Sequence, residues 1–146
     1  MIIAFILDGT ILKYAPYSLF SILIFIFMNK KNLLKYYFLS FIIGLFYDFF
    51  YSNLLFYNSF IFLTCAFIIY KLQNKLEHNL LNSLIIALIT IVYYYTITFI
   101  ILLCLNYIPF DFKRYLNILL NSSILNIFFI LIVYLIKKKK HIYYWW

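Results

Sequence analysis

Apolar residues dominate the chain, and polar residues gather into a few short breaks between them. Met1–Leu12 is apolar apart from Asp8 and Thr10. Lys13–Tyr17 contains Pro16 and reads as a turn, because proline fixes φ and removes a backbone donor. Ser18–Met28 is apolar again and ends at the cluster Asn29, Lys30, Lys31, Asn32 and Lys35. This pattern predicts two short, tilted helices, with a single span broken at Pro16 as the alternative. From Lys35 to Lys71 the only charge is Asp48. That stretch is too long for one membrane span of about 20 residues. It predicts a tight hairpin turning at Ser52 and Asn53, with helices over Tyr36–Tyr51 and Leu54–Tyr70. After the polar stretch Lys71–Asn79, the uncharged segment Leu80–Phe110 predicts a fifth helix ended near Pro109. Asp111, Lys113 and Arg114 form a short loop. Tyr115–Ile136 predicts a sixth helix, ended by Lys137–Lys140, with a tail over His141–Trp146. The expected organisation is one transmembrane helical domain over residues 1–140 and an aromatic, interface-seated cytoplasmic tail over 141–146.

Composition turns this pattern into a fold class. Of 146 residues, 68% are hydrophobic and 11% charged, and mean hydropathy is +1.02. Soluble domains are about 45–50% apolar and about 25% charged, so this chain lacks the polar surface to cover a globule in water. Disorder needs the opposite balance. The expectation is an all-α integral membrane bundle of about six transmembrane helices, with five as the alternative. The excess of Ile, Phe, Tyr, Asn and Lys follows AT-rich codons, so the 18 Phe and 16 Tyr are read mainly as packing and lipid-facing residues. The N-terminus lacks a basic region and a small-residue cleavage site, so it does not read as a cleaved signal peptide.

The net charge of +8 is read as membrane topology, not nucleic-acid binding, because basic residues mark cytoplasmic loops and meet anionic lipid. In the six-span layout one side holds Lys30, Lys31, Lys35, Lys71, Lys75 and Lys137–Lys140, and the other holds Lys13, Lys113 and Arg114. Nine against three sets both termini in the cytoplasm of a bacterial inner membrane; five spans would move only the N-terminus outside. The tail's Tyr143, Tyr144, Trp145 and Trp146 follow four lysines, a combination suited to the headgroup layer. Cys65 and Cys104 lie in apolar runs and read as buried thiols, with no disulfide and no metal site expected.

Asp48 is the most informative residue. It lies 13 positions past Lys35, roughly 20 Å along a helix. A carboxylate at that depth is costly and marks a functional site by default. The competing reading is a helix-end Asp that reaches interfacial water and caps the turn's backbone. Ser40, Gly44, Asp48 and Ser52 recur every four residues on one face, and small residues on a face let another helix approach closely. A second stripe is Ser83, Ala87, Thr90, Tyr94 and Thr98, and a third holds Asn117 and Asn121 with Ser122 and Asn126 beside them. Such stripes serve either helix–helix hydrogen bonding or a polar cavity. Four scattered carboxylates (Asp8, Asp48, Glu77, Asp111) and two glycines offer no nucleophile–base pair, phosphate loop or metal cluster. No catalytic residue and no cofactor is expected.

Over Phe41–Leu72, Gly44, then Tyr47–Asp48, then the Ser52–Leu55 turn and the apolar helix after it resemble the MreD family of rod shape-determining membrane proteins. Asn121 inside the last apolar run also looks like a family position. Family members often carry Gly after the turn's last Leu, where this chain has Phe56. The resemblance implies a non-enzymatic scaffold subunit of the cell-elongation machinery. Its implied partners are MreC, the actin-like MreB, and RodA with a class B penicillin-binding protein. The family's helix arrangement also resembles the substrate-binding subunits of energy-coupling vitamin transporters. That keeps a rival expectation open, a small-molecule site lined by Asp48, Asn58, Tyr94 and Asn121. Gly44, Tyr47, Asp48, Ser52, Asn58, Tyr94 and Asn121 are therefore the candidate binding residues, for a partner or for a ligand.

Overall fold

A computed structural model of the chain describes residues 18–28, 32–51, 56–76, 79–106, 109 and 111–143. Among the described residues every regular element is a helix. They form α1 (Phe20–Leu23), which tightens into a 3-10 turn over Ile24–Phe27, then α2 (Leu33–Tyr51), α3 (Tyr57–Lys75), α4 (Leu80–Cys104) and α5 (Phe112–Tyr143). Leu33–Phe50, Leu80–Cys104 and Phe112–Lys138 are long and apolar enough to cross a membrane. α3 has the length, about 28 Å at 1.5 Å per residue, but Asn58, Ser59, Lys71, Gln73 and Asn74 dilute its hydropathy. The expected first segment with Asp8, the turn at Pro16, Ser52, Glu77, His78 and the last three tail residues lie outside the described residues.

Helix starts follow local capping chemistry. Asn32, Asn79 and Asp111 each stand one residue before a helix. Each side-chain oxygen accepts from the backbone N–H three residues on: Lys35 at 3.2 Å, Asn82 at 2.8 Å and Arg114 at 3.1 Å. Three orphan donors are thereby satisfied at N-termini. This is why α2 starts at Leu33 and not at the expected Tyr36, and why α5 starts at Phe112 and not at Tyr115. α4 ends at Cys104, short of the expected Pro109, because Asn106 adopts the left-handed conformation (φ 58°). Its N–H donates to the Leu103 carbonyl at 3.0 Å, and asparagine is among the few residues that tolerate such a stop. α5 runs on through Lys137–Lys140 to Tyr143, where the sequence predicted an end at Ile136. Lysine is a good helix former, and nothing in that run breaks the ladder.

The closest pairing is the antiparallel hairpin of α2 and α3, followed by α4 with α5 and α3 with α4. The core runs through Tyr36, Tyr47, Phe62, Ile69, Ile91 and Ile130. The outer surface carries Phe38, Phe49, Phe60, Leu120 and Phe128, which suits a hydrocarbon surround. Of the two expected thiols, Cys65 is buried, whereas Cys104 is exposed at the end of α4. That corrects the expectation for Cys104, whose position at a helix end removes one side of its packing.

The segment from Ser18 to Met28 lies where the sequence put its second short helix. Its eight helical residues rise only about 14 Å, half of a hydrocarbon layer of about 30 Å. It touches all four longer helices, and Leu19, Ile22, Leu23 and Phe25 are fully enclosed. A broken helix at membrane depth needs protein around its backbone ends. Side chains of the later helices supply it. The Leu19 N–H donates to Asn126 Oδ1 at 2.9 Å. Gln73 Nε2 donates to the Ile26 carbonyl, and Lys137 Nζ donates to the Phe27 carbonyl at 2.6 Å. Phe20 stacks on Phe129, with ring centroids 4.4 Å apart.

Candidate functional site

Among the described residues, α3 is the one long helix not capped by the side chain of its own N-cap residue. Phe56 stands at its N-cap position, makes no side-chain cap and is held left-handed at φ 64°. The cap comes from the neighbouring helix. Asp48, on the last turns of α2, is 1% exposed and turns its carboxylate onto the first turn of α3. Oδ1 accepts from the Asn58 N–H at 2.9 Å and from Asn58 Nδ2 at 2.8 Å. Oδ2 accepts from the Ser59 N–H at 3.2 Å and from Ser59 Oγ at 3.1 Å. An ionised carboxylate offers about four acceptor positions, and all four are taken here. The carboxylate also sits at the N-terminal end of α3, where the helix dipole is positive.

Gly44 makes the approach possible. It lies one turn before Asp48 on the same face. A Cβ there would sit 2.4 Å from Ser59 Cα and 2.8 Å from both the Asn58 carbonyl oxygen and the Ser59 nitrogen. The two backbones therefore touch where the caps form. Ser40, one turn further back on the stripe, is also fully buried and donates to its own helix at the Tyr37 carbonyl, 2.8 Å away.

The network extends to α4 through one hydroxyl. Tyr94 Oη donates to Asn58 Oδ1 at 2.8 Å, so Asn58 bridges Asp48 and Tyr94. Tyr47 and Phe62 enclose this group: the Tyr47 and Phe62 rings lie 5.3 Å apart, and Phe62 lies 6.0 Å from the Tyr94 ring. Nearby, Tyr57 Oη donates to the Thr98 carbonyl at 3.4 Å. Thr96 Oγ1 and the Tyr115 hydroxyl, 2.7 Å apart, join α4 to α5.

Of the residues singled out from sequence, Gly44, Tyr47, Asp48, Asn58 and Tyr94 meet in this one cluster, and Ser52 lies outside the described residues. Asn121 is exposed on α5, as is Asn117, and neither joins the cluster. The inward polar residues of α5 are Ser122 and Asn126. Asn126 Nδ2 donates to the Ser122 carbonyl at 2.8 Å and to Ser122 Oγ at 3.0 Å, and its Oδ1 receives the Leu19 N–H. Ser59 escaped the sequence reading. Its adjacency to Asn58 at the start of an apolar run is a helix-start signal that could have found it.

Chemically, the arrangement fixes a hairpin and docks it on α4. Both oxygens of Asp48 are already engaged, and the Ser59 and Tyr94 hydroxyls belong to the same network. No curated protein and no solved structure matches the chain. The family model described as rod shape-determining protein MreD matches residues 1–140. With the match running almost end to end over an all-helical, membrane-suited fold, the chain belongs to the MreD family of rod shape-determining proteins.

Proposed function

We propose that this shape-determining membrane protein is a non-enzymatic scaffold subunit of the bacterial cell-elongation machinery, binding MreC and coupling it to MreB and to RodA with its class B penicillin-binding protein. The observation that carries the reading is the closed state of the Asp48 network. A scaffold needs a fixed outer shape, and here the costliest buried group has all four acceptor positions committed to holding α2 against α3. A ligand-binding subunit would need some of those positions open. In this reading Asp48 acts through the hairpin it fixes, and the hairpin meets the extracytoplasmic part of MreC. The basic ends at Lys35, Lys71, Lys75 and Lys137 then face the cytoplasm of the inner membrane, near MreB and anionic lipid.

The test is co-purification of MreC with the tagged chain from solubilised membranes, alongside the shape of depleted cells. MreC is expected to accompany the wild type and to be lost with Asp48→Ala, and depleted rods are expected to become round. Undiminished MreC recovery with Asp48→Ala would remove the hairpin from the interface. A vitamin-sized ligand retained in native mass spectrometry, together with an energy-coupling membrane partner, would replace the scaffold by a transporter subunit.

A further inference from the structure

Lysines and a lipid-facing groove converge at one end of the α2–α3 hairpin. The start of α2 and the end of α3 share this end because the two helices are antiparallel. Between them on the outer face runs an open groove of about 530 Å³, lined by Leu33, Leu34, Tyr37, Phe38, Phe41 and Leu63. The lining is wholly apolar, and Leu34 is 79% and Phe38 62% exposed. On α2 the lining runs from Leu33 to Phe41, eight positions or roughly 12 Å at 1.5 Å per residue, and Leu63 faces it from α3. It therefore runs from the helix ends part of the way into the hydrocarbon.

A cation stands at the same end of the hairpin, on the last turns of α3. Lys71 Nζ lies 4.6 Å from the centroid of the Phe67 ring. Phe67 is 6.5 Å from the ring of Tyr37, which lines the groove, and Tyr70 is 6.2 Å from the same ring. The Phe67 ring steadies the long Lys71 side chain on the outer face of α3, at the end of the hairpin where a lysine meets headgroups. An apolar channel that deepens into the bilayer, below a fixed positive charge at its surface end, has the charge and polarity layout of an anionic phospholipid. We infer that the groove between α2 and α3 is a binding site for one anionic phospholipid, with an acyl chain between Phe38 and Leu63 and its phosphate on Lys71.

The experiment is native mass spectrometry of the full chain in detergent, supplied with equimolar phosphatidylglycerol and phosphatidylethanolamine. One phosphatidylglycerol is expected to be retained at least tenfold over phosphatidylethanolamine. Lys71→Gln, which removes the charge, and Leu34→Trp, which fills the groove from an exposed position, are each expected to lower that retention at least fivefold. Lys113→Gln, at the opposite end of the bundle, is expected to leave it unchanged. Equal retention of the two lipids would overturn the site. So would survival of the adduct in both Lys71→Gln and Leu34→Trp, or equal loss in Lys113→Gln, which would mean diffuse charge attraction. A photo-crosslinker at Phe38 that captures a partner's transmembrane helix in membranes, with no lipid, would assign the groove to that helix instead.

Discussion

Gly44 and Asp48 sit one helical turn apart and act on the same two residues of α3, so their substitutions should not add. In Gly44→Ala the new Cβ would lie 2.4 Å from Ser59 Cα, whereas carbon atoms in contact rest about 3.5–4.0 Å apart. The obstruction is backbone, so α3 has to retreat by at least about 1 Å. The four caps on Asp48 measure 2.8 to 3.2 Å, and the same retreat takes them past the useful limit of about 3.2 Å for N–H···O contacts. Gly44→Ala therefore removes the packing and the caps together. Asp48→Ala leaves the donors of Asn58 and Ser59 buried without acceptors, at about 1–3 kcal/mol each before any rearrangement. We expect each single variant to cost on the order of 4 kcal/mol, and the double variant about 5 kcal/mol in place of the additive 8. The measurement is reversible unfolding in mixed detergent micelles, followed by tyrosine and tryptophan fluorescence, over the four-member cycle. Additive costs would refute the reasoning, because they would mean that Gly44 closes the hairpin without positioning the Asp48 caps.

Other outcomes follow from single contacts. Phe56→Gly should stabilise the chain by about 0.5–1 kcal/mol in the same unfolding assay, since it releases a left-handed residue costing about 1–2 kcal/mol and returns part of that as unfolded-state entropy. Asn126→Leu should cost about 1–3 kcal/mol by leaving the Leu19 N–H unpaired, while Asn121→Leu, on the exposed face, should stay within about 0.5 kcal/mol; equal effects would refute the assignment of the inward face of α5. In detergent, a maleimide should add one label to the native chain, at Cys104, and a second at Cys65 only on unfolding; rapid double labelling of the folded protein would contradict the burial of Cys65.

Hydropathy was enough to reveal the long helices, because a helix is the form that pairs every backbone group within an apolar segment. Boundaries were legible only where their cause is local. Asn32, Asn79 and Asp111 are readable caps, each directly before an apolar run. The helix of α3 was expected at Leu54; Asn58–Ser59 offered a helix-start signal, but the cap itself stands ten residues upstream on another helix. The Gly44–Asp48 stripe was visible as a close-packing face, but its counterpart, Ser59, was fixed only by how the hairpin closes. On α5 the sequence offered Asn117, Asn121, Ser122 and Asn126 in a helix apolar nearly all round. Asn121 and Asn126 are five positions apart, about 140° around a helix, so one had to face outward. Nothing in the one-dimensional pattern says which, and the family-like residue Asn121 turned out to be the exposed one.

The ties that hold the short segment at Ser18–Met28 bear on biogenesis. Its Leu19 amide waits for a side chain 107 positions later, its Phe27 carbonyl for one 110 positions later and its Ile26 carbonyl for one 47 positions later. A chain emerging from the ribosome makes this segment early, Gln73 midway, and Asn126 and Lys137 last. Until α5 is inserted, neither Asn126 nor Lys137 is present, and the broken helix has no complete set of partners for its ends. Two of its three ties can form only once α5 is in place, after synthesis is essentially finished. A nascent chain truncated before Asn126 would carry that segment unseated, and so would present its own defect to membrane quality-control proteases.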